Sequence, residues 1–261
     1  MYDVPQGSVL GPIPFVLYTT RLSGIIANHS VNHQLFADDT QLQKSAPFNK
    51  VTNFTKELSQ CIHCPNNNKT WMTENQLKLN DKTALLFPFS SSLNPSTVSL
   101  PDSITLGSHN IPFSDSTRNL GFILDSKLSI KKYIIKICQT AYFELKHISS
   151  IRRFFTEDVT KTVVTSYILS RLDYWNCLLM GTPNSAIQPL QKIQNFDARL
   201  VLLAFVTTTQ PLLEKLHWLP ISEHMKYKVT CMCFSAISGS GPANLSELLH
   251  VYAVSYATLF F

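Results

Sequence analysis

The stretch Val31-Asn-His-Gln-Leu-Phe-Ala-Asp-Asp-Thr-Gln-Leu-Gln43 decides the reading of this chain. Apolar and polar residues alternate on both sides of Phe36-Ala-Asp-Asp39, which predicts two short strands joined by a tight turn. The turn would expose Asp38 and Asp39, while the strands fix them against a core. Two neighbouring carboxylates resist joint ionisation, and Mg²⁺ ions relieve this while clamping the attacking and leaving oxygens of a phosphoryl transfer. Asp-Asp pairs also occur in ordinary solvated turns, so the weight falls on the flanking sequence.

Upstream lies Val4-Pro-Gln-Gly-Ser-Val-Leu-Gly-Pro12, followed by an apolar segment over residues 13–18. Downstream come Trp71-Met-Thr-Glu-Asn-Gln-Leu-Lys-Leu-Asn80, Asp81-Lys-Thr83, Asn119-Leu-Gly-Phe-Ile-Leu-Asp125, Ser170-Arg-Leu-Asp-Tyr174 and Leu216-His-Trp-Leu-Pro220. In this order the blocks resemble the reverse transcriptases of non-long-terminal-repeat (LINE-type) retrotransposons, from Val4 to about Leu249. The resemblance implies an RNA-directed DNA polymerase that extends a DNA primer on an RNA template, using Mg²⁺ and deoxynucleotides.

Residue by residue, it casts Asp38 as the principal metal ligand and Asp39 as its partner. Gln6 would hydrogen-bond the template or incoming nucleotide, and Gly7 would let the backbone approach it closely. Lys82 would meet the triphosphate as a charge stabiliser or general acid. The family places a further catalytic aspartate well upstream of Pro5-Gln-Gly7, where only Met1-Tyr-Asp-Val4 stands here. The expectation is therefore a truncated polymerase, inactive by itself unless a partner supplies the N-terminal half. The block around Lys82 also runs about two residues short of the family pattern, with Ala84 near an expected Glu. The alternatives are a non-catalytic nucleic-acid-binding remnant and a relic without function.

Composition fits these readings without demanding them. The 261 residues are 44% hydrophobic, enough for one or two packed domains, and carry a formal net charge of +5. Residues 126–155 hold Lys127, Lys131, Lys132, Lys136, Lys146, Arg152 and Arg153 against Glu144 alone. From these, Lys131, Lys132, Lys136, Arg152 and Arg153 are the candidate contacts to a nucleic-acid backbone; a solvated helix face is the plain alternative. The start of the chain has no basic and apolar run of a secretory signal, and no window is long and apolar enough to span a membrane, so an intracellular protein is expected. Six cysteines read as free thiols, and Cys61-Ile-His-Cys64 lacks a second pair at zinc spacing.

The predicted organisation is α+β. A mixed segment over residues 1–125 carries a helix from residue 12 to 27, the Asp-Asp hairpin, a helix over 49–63, a strand over 84–89 and small strands near Ile104-Thr-Leu106. By resemblance this is part of a polymerase palm. Residues 126–261 form an all-helical region, thumb-like by the same resemblance. Ile130, Tyr133, Ile134, Ile137, Cys138, Ala141, Tyr142, Leu145 and Ile148 recur at helical spacing, as do Ile187, Leu190, Ile193, Phe196, Leu200 and Leu203. Pro189 must lie in the first turn of its helix or kink it. An Arg171–Asp173 contact, or a contact to backbone, is expected to hold the end of the Ser170 block.

Overall fold

The computed structural model describes residues 9–28, 31–43, 71, 74, 75, 77, 103–106, 109–112, 114, 116–125, 129–204 and 208–249. It is a mixed helix-and-strand structure of two compact units, Met1–Thr117 and Arg118–Phe261. The helix expected over 49–63 and the strand over 84–89 lie outside the described residues.

In the first unit, helix α1 (Pro12–Ala27) starts with proline in its first turn, where the missing N–H has no intrahelical acceptor. Thr19, Leu22 and Ile26 recur at three and four residues, and form its buried stripe. Against it pack Val31, Leu35, Leu42 and Trp71. Strands β1 (Asn32–Phe36) and β2 (Asp39–Gln43) pair antiparallel, with Phe36 opposite Asp39 and His33 opposite Leu42. His33, Leu35 and Leu42 therefore share one face. His33 Nε2 lies 2.6 Å from Ser23 Oγ of α1. The Tyr18 hydroxyl donates to the Asn75 carbonyl, and the Tyr18 ring lies 6.2 Å from Trp71. Strands β3 (Ser103–Leu106) and β4 (His109–Pro112) form a second antiparallel pair, as expected around Ile104.

The second unit takes in most of the hairpin of β5 (Ser116–Asn119) and β6 (Phe122–Asp125). Leu120 and Gly121 turn it with φ of 46° and 85°, the two left-handed residues of a tight hairpin turn. Phe122 packs at 4.2 Å from the Tyr133 ring and 6.0 Å from Trp175. This packing explains why the unit boundary falls before the composition change at residue 125.

Helices α2 (Lys131–Ile151), α3 (Glu157–Val164), α4 (Ser170–Tyr174), α5 (Asn184–Leu202), α6 (Gln210–Leu216), α7 (Ile221–Ile237) and α8 (Ala243–Ser246) follow. Thr156-Glu-Asp158 reads in the sequence as a helix cap followed by first-turn acids, and in the structure Thr156 caps α3 by accepting from the Val159 N–H, with Glu157 and Asp158 in the first turn. Between α3 and α4 the helix widens: residues Thr165–Leu169 are π-helical, and the Ser170 N–H donates to the Thr165 carbonyl five residues back. The core joins Tyr133, Ile134, Ala141 and Ile148 of α2 to Val164, Ile168, Leu172, Leu190, Ile193 and Val201.

Of the two readings left open for Pro189, the first-turn one falls: the residue lies beyond the first turn of α5, inside the helix. The apolar stripe of α5 departs from expectation. The buried stripe is Ile187, Leu190, Ile193, Gln194, Asp197, Ala198 and Val201, while Phe196 and Leu203 face outward. Hydrophobicity favours Phe196 over Asp197 as the inward residue. The spacing of Ile193, Asp197 and Val201, four residues each, brings Asp197 inside instead. Leu203 then ends the helix with left-handed backbone, φ 49°.

Candidate functional site

The two predicted metal ligands stand at the tip of the β1–β2 hairpin. Ala37 and Asp38 make the two-residue turn, and Asp39 opens β2 opposite Phe36. Ala37 carries φ 51°, a left-handed conformation that costs an alanine roughly 1–2 kcal/mol. Both aspartates are exposed, so their carboxylates remain available to a cation or a phosphate-bound metal. The hard oxygen donors suit Mg²⁺. Among the described residues no three His, Cys, Asp or Glu side chains gather to hold a metal. A bound Mg²⁺ would draw its other ligands from water, from nucleotide phosphates or from outside the hairpin. Gln6, Gly7, Lys82, Cys61 and Cys64 lie outside the described residues.

The basic candidates separate into two kinds. Lys131, Lys132 and Lys136 are exposed on the first turns of α2. Cations at a helix N-terminus oppose the helix dipole, so Lys131 and Lys132 are not placed for helix stability. Arg153 is exposed and its guanidinium stacks on Phe154, 4.7 Å from the ring centroid.

Arg152 departs from the expectation. It is 8% exposed, with Nε donating to the Leu200 carbonyl, Nη2 to Val201 and Nη1 to Phe155, at 2.9, 2.8 and 2.7 Å. Its guanidinium closes the carbonyl ends of α5 and the turn after α2, so it holds helices and not phosphates.

The Ser170 block also differs. Residues two apart on a helix do not face each other, and Arg171 pairs with Glu144 of α2 at 3.5 Å instead of Asp173. Asp173 Oδ1 accepts from His224 Nδ1 at 2.7 Å and from Asn176 Nδ2 at 2.8 Å, and Lys228 donates to the Asp173 carbonyl. The remaining sequence blocks of the helical unit serve packing and turns. Trp175 Nε1 donates to the Leu120 carbonyl at 3.1 Å, joining the Asn119 and Ser170 blocks. Asp125 Oδ1 accepts from the Ser129 N–H at 2.6 Å, ahead of α2. In the Leu216 block, His217 is the left-handed residue that stops α6, Trp218 N–H donates to the Leu213 carbonyl, and Gln194 Nε2 donates to Leu219.

Two features are not visible in the sequence pattern. Asp197 is fully buried, neither carboxylate oxygen has a hydrogen-bond partner among the described residues, and burial pushes its carboxyl up to about 8. Its only sequence signal is its four-residue spacing from Ile193 and Val201. The second is an exposed aromatic pair, Tyr142 of α2 and Phe196 of α5, with centroids 6.5 Å apart and ring planes at 64°. The Arg199 guanidinium lies 5.6 Å from the Phe196 centroid. Helical spacing alone predicts both rings on the core face, and the structure turns both outward.

Comparison with known proteins finds no matching family model, no matching curated protein and no matching solved structure. Among the described residues no helix is long and apolar enough to cross a membrane.

Proposed function

We propose that this chain is the later part of a LINE-type reverse transcriptase, with the first unit derived from its palm and the helical unit from its thumb. The observation that carries the reading is the placement of Asp38 and Asp39: two exposed carboxylates at the tip of a tight hairpin whose inner face packs on α1. Two-metal phosphoryl transfer needs carboxylates held by a rigid scaffold yet open to a nucleotide. In this reading Mg²⁺ supplies the positive charge that steadies the transferring phosphoryl group. Asp38 and Asp39 hold their share of its coordination, and Lys131, Lys132, Lys136 and Arg153 hold nucleic-acid phosphates. A further carboxylate from beyond the hairpin completes the site, so polymerisation requires a segment that supplies it.

Primer extension on an RNA template, with Mg²⁺ and all four deoxynucleotides, tests the reading on the chain alone and with an added reverse-transcriptase N-terminal segment. Extension that disappears in Asp38→Ala supports it. A complemented chain that extends equally well with Asp38→Ala overturns it.

A second reading is a binding module without polymerase chemistry. The lysines at the α2 N-terminus, placed against the helix dipole, favour it. Its signature is salt-steep RNA affinity that survives Asp38→Ala.

A further inference from the structure

We propose that Tyr142 and Phe196 form a stacking platform for the bases of an unpaired nucleic-acid strand, on the outer face of α2 and α5. This rests on the nucleic-acid reading above and assigns a surface that the sequence-derived sites do not include.

The two rings are 43% and 44% exposed, although each stands on a helix whose inner stripe is already closed by Ala141, Ile193 and Val201 at full burial. They add little to the core, and they cost the surface two patches of hydrated apolar area. Their edge-on contact at 6.5 Å keeps them together as one patch. Cations of both helices stand beside the rings. Lys146 follows Tyr142 by four residues and Lys192 precedes Phe196 by four, so each lies one turn from its ring on the same helix face. Both lysines are exposed, and Arg199 lies over Phe196. The acids of these two helices are elsewhere: Glu144 is paired with Arg171, and Asp197 is buried.

Exposed aromatic faces among cations match the two parts of a single strand, its bases and its phosphates. A duplex fits poorly, because its bases are stacked on one another and present only edges. The lysines would track the backbone while a base stacks on a ring, with the Arg199–Phe196 contact adding positive charge at the platform.

The test measures fluorescence anisotropy of the full chain with a labelled oligouridine and with a blunt RNA duplex of equal length. Phe196→Ala and Tyr142→Ala should each weaken oligouridine binding, by roughly 10-fold for one stacked base, and leave duplex binding within about 2-fold. Phe196→Tyr should restore the affinity, which separates ring loss from a folding defect. Equal losses on both ligands, or oligouridine binding unchanged in Phe196→Ala and Tyr142→Ala, would overturn the platform while leaving nucleic-acid binding in place. A wild-type chain that binds neither ligand would overturn both. Ring-dependent binding of polyglutamate in place of RNA would reassign the patch to acidic polypeptides and overturn the proposal.

Discussion

His224 of α7 donates from Nδ1 to Asp173 of α4 across 2.7 Å, and the same carboxylate oxygen accepts from Asn176. One oxygen thus fastens three segments: α4, the turn after it and α7. Lys228, one turn beyond His224, donates to the Asp173 backbone carbonyl and repeats the link. Asp173→Ala should lower the unfolding free energy by about 1–3 kcal/mol, the usual cost of removing a charged hydrogen-bond partner. His224→Ala should lower it less, because Asn176 still donates to the carboxylate. Urea denaturation would measure both, and equal stability in Asp173→Ala and wild type would show the link to be without weight.

Arg152 gives a sharper contrast between holding helices and holding phosphates. Its three donors end on three buried or half-buried carbonyls. Arg152→Ala should cost about 3 kcal/mol or more, because those acceptors are left without a partner in the interior. Arg152→Lys should recover only part of it, since an ammonium cannot present the planar fork. In RNA binding at a temperature where the variant is folded, the salt dependence should stay unchanged. A reduced salt slope in Arg152→Ala, measured where that variant is folded, would return this residue to the phosphate-binding set.

Lys131, Lys132 and Lys136 should behave in the opposite way. All three are exposed, so replacing them with alanine should change stability by no more than about 0.5 kcal/mol each. Removing Lys131 and Lys132 should relieve the helix dipole slightly. For a single RNA strand, every phosphate that a lysine neutralises adds about 0.7 to the steepness of log affinity against log salt. The triple variant should therefore be shallower by about 2 on that scale. Titrations at several salt concentrations would check this, and an unchanged slope would remove these lysines from the interface.

Asp197 makes stability depend on pH with a definite sign. Its carboxyl is raised from 3.8 in the unfolded reference to about 8 in the folded chain. The folded state therefore binds this proton more tightly than the unfolded state. The associated stability is complete below about pH 4, is lost as pH rises toward about 8, and changes no further beyond that. The steepest loss is about 1.4 kcal/mol per pH unit. Asp197→Ala should be more stable than wild type at neutral pH, and the gap between the two should widen from pH 4 to pH 8. A pH-independent gap in the denaturation midpoints would mean that the carboxyl finds a partner inside.

The fold is legible where periodicity and capping agree. Pro12 opening α1, Thr156 capping α3 and the alternation around Asp38 and Asp39 all predict the elements that form. The inward face of α2 is readable for Tyr133, Ile134, Ala141 and Ile148 because apolar residues fill it without interruption. Sequence misleads at Tyr142 and Phe196, where an outward ring and a buried position carry the same hydrophobic signal. Asp197 is illegible for the converse reason: no sequence pattern favours an unpartnered carboxyl in a core. The Asp38 and Asp39 positions can be read, since a turn between alternating strands has few geometries. Arg152 cannot, because a basic run does not reveal which of its members turns inward.

The π-helical residues Thr165–Leu169 have a consequence for the helix that continues from them. A regular α-helix advances about 100° per residue, so the one extra residue in this wide turn rotates the following surface by roughly that angle. Without this phase offset, Arg171 would leave the side of the helix that meets Glu144, and Asp173 the side that meets His224. Deleting one residue from the segment would thus act as a frameshift in the helix surface, changing which neighbours the side chains of α4 meet while altering none of them.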